Sequence, residues 1–479
     1  MAPLHVEKSF DSLRDWLRHL AATDRLAVLK EGISLEHRLA AIAKRLDGDK
    51  AAYFPKPGGH DIGIISGFMS KRAWIAEAMG VSQSELLAHY RHAAENPRPW
   101  VEIEKNAPCQ QVVHRDIDVR RLLPIPTHSE HDSGPYITAG LVIARNPVTG
   151  VQNVSINRIQ VHSERHMALL MLPRHLHAFY KAAEDAGQAL PVAVVIGVDP
   201  LTMLASQAIT PIDHDELEIA SALHAQPLQV VKCLSNDVRV PASSEIVIEG
   251  RILPGERHTE GPFGEFPKYY SEKEQREVIE VDLISHRERP IYHTIVPAEM
   301  EHLLLGGIPR EATLLGHLRG SHPQVQDVHL SVGGVCRYHL YVRLRKTHEG
   351  LPKNVILAAF GAHYDIKHVV VVDDDVDVHD PQQVEWAVAT RFQASRDLVV
   401  VHGAQGSVLD PSTTLYARSH GEGADDATVH GLSAKMGLDA TRPVHYEGHV
   451  FTKVRIPGEQ EVDLDEVLCP DTPFDVDQS

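Results

Sequence analysis

Glu245-Ile-Val-Ile-Glu-Gly250, with Glu260-Gly-Pro-Phe-Gly-Glu265 following it, sets an apolar β-type run close to a rigid turn that carries two carboxylates. A Gly-Pro turn of this kind brings both acids into one small space. Paired acids in different environments have their pKa values pushed apart, which general acid/base chemistry exploits. The same six residues also make an ordinary surface loop. Their weight depends on the rest of the chain.

Upstream, Ile137 to Ala144, Val151 to Val161, Pro191 to Gly197 and Leu228 to Leu234 read as further strands, most of them ended by Gly, Pro, Asn or Asp. Helical patterns interrupt them near Met167 to Ala186 and Asp215 to Ala225. A barrel-like or mixed sheet is the expected core of this middle region. Before it, Phe10, Leu13, Trp16, Leu17 and Leu20 recur at helical spacing. Leu35 to Leu46 and Ser82 to Ala94 are further expected helices, and Ile62 to Ser66 is β-type. This small α/β unit runs into the Pro-rich stretch from Pro97 to Pro108, and Arg121 to Pro126 is a Pro-broken connector. In the last third, Tyr338 to Leu344, Asn354 to Ala359, Val369 to Val372 and Leu398 to Val401 read as buried strands. Helices such as Pro381 to Phe392 alternate with them, as in a second α/β unit. Beyond about Ser407 the chain reads as loop-rich and ends acidic.

A chain of 479 residues exceeds one ordinary core, so two or three domains are expected. Forty-seven basic against 65 acidic residues give a formal charge of -18, which argues against a nucleic-acid backbone or an anionic membrane as the main partner. Cys109, Cys233, Cys336 and Cys469 form no Cys-x-x-Cys motif, and four thiols in so large a chain suit a reducing compartment. The N-terminal residues lack an apolar signal core, and no uninterrupted apolar run approaches the roughly 18 residues of a membrane span. The expected location is cytoplasmic.

With 32 histidines, any single one is weak evidence for a site. His162-Ser-Glu-Arg-His166 has the i, i+4 spacing of a zinc-protease helix, but its glutamate is displaced by one position. An exposed polar face or strand is the better reading. Gly-x-Ser-x-Gly, Walker and Gly-x-Gly-x-x-Gly signatures are absent from the sequence, so hydrolase, P-loop and nicotinamide-dehydrogenase readings lack their anchors. Asp373-Asp-Asp-Val-Asp377 after an apolar run suits either a magnesium site or a turn and helix start, and the turn is favoured.

Five segments in this order resemble the UbiD family of decarboxylases. They are Asn153-Val-Ser-Ile-Asn-Arg158, Pro241-Ala-Ser-Ser-Glu-Ile-Val-Ile-Glu-Gly250, Glu260-Gly-Pro-Phe-Gly-Glu265, Val370-Val-Val-Asp-Asp-Asp-Val-Asp377 and Ser433-Ala-Lys-Met-Gly-Leu-Asp439. The resemblance runs from about Asp116 to Pro443, and the N-terminal region fits it too. It implies an α/β (α+β) chain in three parts: an N-terminal α/β domain at 1–115, a central split β-barrel that binds prenylated FMN at 116–320, and a C-terminal α/β oligomerisation domain at 321–479. It implies a carboxy-lyase that reversibly and non-oxidatively releases CO2 from an aromatic acid. A flavin prenyltransferase would supply the cofactor.

Carried over residue by residue, the family's Glu-Arg-Glu catalytic set falls on Arg158, Glu260 and Glu265. In this reading Arg158 positions the substrate carboxylate, Glu265 returns a proton to carbon and Glu260 orients Arg158. A plain salt bridge is the alternative for these residues. The resemblance further implies that Asn153, His175 and Glu216 hold a manganese or magnesium ion against the flavin phosphate, a mostly hard ligand set. His177, two residues on, competes with His175 for that place. Ser155, Ile156, Arg174 and Lys435 complete the expected cofactor contacts, and the backbone of Ala205 to Ala208 is the expected potassium site.

Glu301-His-Leu-Leu-Leu-Gly-Gly-Ile-Pro-Arg-Glu311 is similar to the branch acting on small aromatic and heteroaromatic acids, where a histidine and an arginine at this spacing contact substrate. They correspond to His302 and Arg310; capping or pairing at a helix start before Ala312 is the alternative. The implied substrate is a pyrrole-, furan- or indole-carboxylate, with a polyprenyl-hydroxybenzoate or hydroxybenzoate as runner-up. A flavin oxidoreductase and a non-catalytic flavin carrier are the competing functions. The acidic, Pro-containing segment Glu461 to Ser479 departs from the family's C-terminal helix, so a homodimer is expected rather than a hexamer.

Overall fold

A computed structural model describes residues 10–413 and 431–468. The chain opens with the helix Leu13–Ala22, capped by the Ser12 side chain accepting from the Asp15 N–H, with Leu13, Trp16, Leu17 and Leu20 buried on one face. It leads to a four-stranded sheet ordered Leu26–Val28, Ala51–Phe54, Gly63–Ser66 and Ile291–His293. The last strand comes from far along the chain and lies parallel to Gly63–Ser66.

The middle of the chain forms a nine-stranded sheet. Its main order is Tyr136–Ile137, Ile159–Val161, His166–Leu169, Glu274–His286, Ile246–Glu260, Leu190–Ile196, Leu141–Arg145 and Gln152–Ile156, and Val112–His114 also pairs with Glu274–His286. Neighbouring strands are antiparallel. Gln152–Ile156 is one edge, whereas Ile159–Val161 sits one strand in from the other. Only Asn157 and Arg158 join the two, which holds the Ile156 and Ile159 Cα atoms within about 11 Å. The sheet must therefore curl until its two ends nearly meet, and Arg158 lies at that seam.

A five-stranded sheet follows, ordered Val325–Leu330, His339–Leu344, His368–Asp373, Leu432–Ala440 and Leu398–Gln405. The 22-residue helix Met300–Ser321 ties the parts of the molecule together. Its buried Glu311 accepts from Arg72 near the N-terminus and from the Leu330 N–H of the last sheet. Gly306 and Gly307 lie against Arg337 and Cys336, and a Cβ on Gly306 would fall 1.6 Å from an Arg337 nitrogen. The expected three-part α/β architecture with a curled central sheet is thus the observed one. No helix among the described residues is long and apolar enough to cross a membrane.

Several local expectations fail for physical reasons. Asn354 to Ala359 is not a strand but part of the helix Leu351–Ala362, with Pro352 in its first turn and Val355, Ile356 and Ala359 buried. A short apolar run does not by itself separate a buried strand from a buried helix. Met167 to Ala186 splits into the strand His166–Leu169 and the helix His175–Asp185. The strand Glu274–His286 escaped notice because its first half is charged. The region beyond Ser407, read as loop, supplies Leu432–Ala440, which lies between two other strands. The helix expected to start before Ala312 starts at Met300 and contains both His302 and Arg310. Cys469 and the tail from 469 onward lie outside the described residues; before them, Leu464–Val467 is a single short turn of helix.

His166 begins a strand, so His162 and His166 share no helix face. The aspartate cluster has a structural role. Arg391 bonds Asp373 at 2.7 Å and Asp375 at 2.9 and 3.0 Å, and Arg442 reaches Asp373 at 3.3 Å. Arg391→Ala removes the closest cation from two carboxylates that keep Arg442 and Lys453 nearby, and chemical denaturation should read a loss of about 1–2 kcal/mol.

Candidate active site

The curled sheet and the helix Met300–Ser321 enclose a cavity of about 800 Å³. Arg158, at the sheet seam, projects into its wall. The strand Ile246–Glu260 ends on Glu260, and the turn after it carries Glu265 to the same guanidinium. Arg158 NH2 donates to Glu260 Oε2 at 2.7 Å, and NH1 donates to Glu265 Oε1. Phe263 lies beneath, its ring centre 5.3 Å from the guanidinium carbon. Glu260 is fully buried, and the Arg158 and Glu265 side chains are only 8% and 11% exposed.

Burial pushes the Glu265 carboxyl above its ordinary range, against the pull of Arg158. Burial also works against the Arg158 cation, but Glu265 and Glu260 outweigh it and hold the cation more firmly than usual. Glu265 faces the cavity and Glu260 lies behind the arginine. One acid is therefore placed to meet a ligand and the other to brace the cation.

On another wall, Asn153 from the edge strand and Glu216 from the start of the helix Glu216–Leu223 meet. Glu216 accepts from Asn153 Nδ2 at 2.9 Å and from the Val154 N–H at 2.7 Å. Burial raises the Glu216 carboxyl to about 8, and Asn153 Oδ1 is buried without a hydrogen-bond partner. A buried carboxylate lacking a cation beside an unpartnered amide oxygen fits a hard divalent ion. His175 lines the same cavity and His177 does not. Among the described residues no group of three or more His, Cys, Asp or Glu side chains is arranged as a metal site. Ser155, Ile156, Arg174, Ser206, Gln207 and Ala208 also line the cavity. Lys435 does not: it donates to the Tyr364 carbonyl at 2.9 Å, and burial lowers it to about 8.

The helix Met300–Ser321 contributes a cationic end. His302 Nδ1 accepts from the Ala298 N–H at 3.1 Å, which leaves the ring proton on Nε2. Burial, then Arg337, lowers His302 to about 3. Arg310 meets Asp365 at 3.3 Å, while its Nε and NH1 are buried without partners. Burial and Arg337 lower Arg310 to about 9. Two buried guanidiniums facing one aspartate leave an excess of positive charge. Arg337 and Asp365 belong to none of the motifs quoted above, and only the packing of the Gly306 face reveals them.

Residues 101–300 match the family model described as the 3-octaprenyl-4-hydroxybenzoate carboxy-lyase Rift-related domain. Residues 303–440 match the C-terminal domain of the same description, and 17–94 its N-terminal domain. The anhydromevalonate phosphate decarboxylase of Methanothermobacter thermautotrophicus is 40% identical over 384 residues, 80% of this chain and 86% of the relative. The chain belongs to the UbiD family. It is a carboxy-lyase of that class. The UbiD-class enzyme HmfF from Pelotomaculum thermopropionicum, solved in complex with FMN, superposes with a TM-score of 0.90 at 46% identity, covering 95% of this chain and all of that one. The gallate decarboxylase of Lactiplantibacillus plantarum is 30% identical over 425 residues, 83% of this chain and 85% of the relative. UbiD relatives thus decarboxylate both aromatic and non-aromatic acids.

The turn that positions Glu265 depends on Gly261. It sits at φ +90°, and a Cβ there would lie 2.5 Å from the Glu272 carbonyl oxygen. Gly261→Ala should cost about 1–3 kcal/mol in unfolding measurements. Gly255→Ala, at φ +71° with nothing within 4 Å of its Cβ, should cost less.

Proposed function

We propose that the cavity holds prenylated FMN and that the chain removes CO2, reversibly, from a small aromatic or heteroaromatic carboxylic acid. The observation that carries this reading is the buried Arg158 between two carboxylates, of which only Glu265 faces the cavity. An evolved dimeric form of HmfF, 44% identical over 96% of this chain, is solved in complex with prFMN, which supports the cofactor.

Bound there, the prenylated flavin supplies the electron sink that carbon–carbon cleavage at an sp² carbon requires. The remaining tasks fall to the chain. Arg158 binds and orients the departing carboxylate. Glu265, whose acid form burial favours, gives its O–H proton to the carbon that loses CO2, and solvent later restores it. Glu260 holds Arg158 in place. Asn153, Glu216 and His175 would hold manganese or magnesium at the flavin phosphate, with potassium near the backbone of Ala205 to Ala208. Ser155, Ile156 and Arg174 would line the flavin. Lys435 would act on the phosphate through the Tyr364 segment rather than from the cavity wall. A flavin prenyltransferase would supply the cofactor, and the working form would be a homodimer.

His302 and Arg310 would contact the substrate ring or its substituent, favouring a pyrrole-, furan- or indole-type acid. A second reading, a non-aromatic acid with a further anionic group, draws support from the unpartnered Arg310 nitrogens and the anhydromevalonate phosphate relative. Co-expression with a flavin prenyltransferase, followed by mass spectrometry of the bound flavin and a panel of carboxylic acids, tests the proposal. A prenylated flavin and CO2 release from a ring acid support it, whereas protein that never retains the prenylated flavin refutes it.

Glu265→Gln should retain flavin absorbance and lose at least about 10²-fold in turnover. The wild-type rate should fall as pH rises through the elevated Glu265 range, because the acid form is the active one. Glu216→Ala should yield folded protein without flavin absorbance.

A further inference from the structure

Behind the Arg158 pair, four polar groups converge on the phenol of Tyr136. Tyr136 is completely buried, and its hydroxyl lies 3.0 Å from Glu260 Oε1, the oxygen that Arg158 does not hold. The hydroxyl also lies 3.1 Å from Gln160 Oε1 and 3.1 Å from Ser133 Oγ, and it accepts from the Gly261 N–H at 3.1 Å. One phenol proton serves one acceptor. Gln160 Oε1 already receives the Gly261 N–H at 3.2 Å, and a carboxylate is the stronger acceptor. The phenol proton therefore goes to Glu260, and the Gly261 N–H, with Ser133 beside it, sharpens it as a donor. Phe263 packs on the Tyr136 ring at 4.4 Å and also floors Arg158, so ring and guanidinium share one platform.

The two acids on Arg158 are thus served unequally. Glu260 receives Arg158 on one oxygen and a phenol on the other. Glu265 receives Arg158 on one oxygen and a long 3.3 Å contact from the Phe266 N–H on the other. Donors to a carboxylate favour its charged form. Two carboxylates coupled through one guanidinium titrate as a pair, so whichever is better solvated by donors surrenders the shared proton to the other. We propose that Tyr136 is a positioning residue that places the pair's proton on Glu265 by holding Glu260 as a carboxylate. The proposal rests on the decarboxylase reading above and adds a residue that never touches the substrate. The other charged or titratable groups around Glu260 do not substitute for Tyr136. His162 is depressed by burial and by His258, and the cross-strand partner Glu274 is half exposed and paired with Arg276.

Tyr136→Phe keeps the ring on Phe263 and leaves Gly261 its bond to Gln160. Without the phenol, Glu260 competes for the proton. The flavin-loaded variant should lose about tenfold on the acid plateau of the kcat/KM profile, retain wild-type rates on the alkaline limb, and show that limb displaced to higher pH. An equal loss at every pH would mean that Tyr136 only supports the packing, and an unchanged profile would remove its role; either result overturns the proposal. Infrared spectra of the full-length protein give a second readout that needs no turnover. In wild type one component of the protonated-carboxyl band should be lost with Glu265→Gln, and in Tyr136→Phe part of that component should be lost only with Glu260→Gln. A Tyr136→Phe band that still depends on Glu265 alone refutes the proposal even if decarboxylation itself is confirmed. A wild-type enzyme that decarboxylates no acid would sink the function but leave the infrared result to decide this point. If Tyr136→Phe fails to fold, Ser133→Ala, which removes one contact on the phenol, should displace the limb in the same direction by less.

Discussion

A guanidinium taken out of water between two carboxylates is costly unless every charge is answered, and the architecture around Arg158 answers it. The cation sits where the curled sheet comes together, so its backbone is fixed by strands from both ends of that sheet. Glu260 arrives at the end of a strand and is wholly enclosed, while Glu265 arrives on a turn and keeps one face toward the cavity. Loosening the curl would leave a buried ion without its partners. Closing the sheet and assembling the acid–base site are the same structural event.

The long helix Met300–Ser321 makes the second half of the cavity depend on the same logic. Its small Gly306–Gly307 face admits Cys336 and Arg337, and this packing drives Arg310 and Arg337 into a region with one aspartate. One part of the cavity thus carries a buried carboxyl and a braced cation, and another carries an excess of positive charge. Asn153 and Glu216 present the reverse imbalance, acceptors awaiting a cation. A phosphorylated cofactor with its metal, and an anionic substrate, would neutralise both.

Arg158, Glu260 and Glu265 were legible as a group only through the resemblance of several segments in order, since Glu260 to Glu265 alone reads equally well as a surface loop. The curled sheet was legible only as a run of strand candidates, because Glu274–His286 hides its apolar half behind a charged one. Asn354 to Ala359 misled because five apolar residues in a row suit either period, and the exposed side carries the apolar Leu357, so no polar residue there marks a helical face. Tyr136 and Gln160 could not be found by spacing. They face each other across two strands, Tyr136 opposite Gln160, and that register exists only once the sheet has paired. Arg337 reaches Arg310 through a glycine face, which no linear pattern records.

The central claim is that Glu265 delivers the proton that replaces CO2. The direct measurement is deuterium incorporation into the product during turnover in D2O, followed by wash-in at the same carbon of preformed product. The wild-type enzyme should place one deuterium at the carbon that bore the carboxylate and should exchange that position in added product, and Glu265→Gln with flavin bound should do neither. Exchange by Glu265→Gln at the wild-type rate would contradict the account.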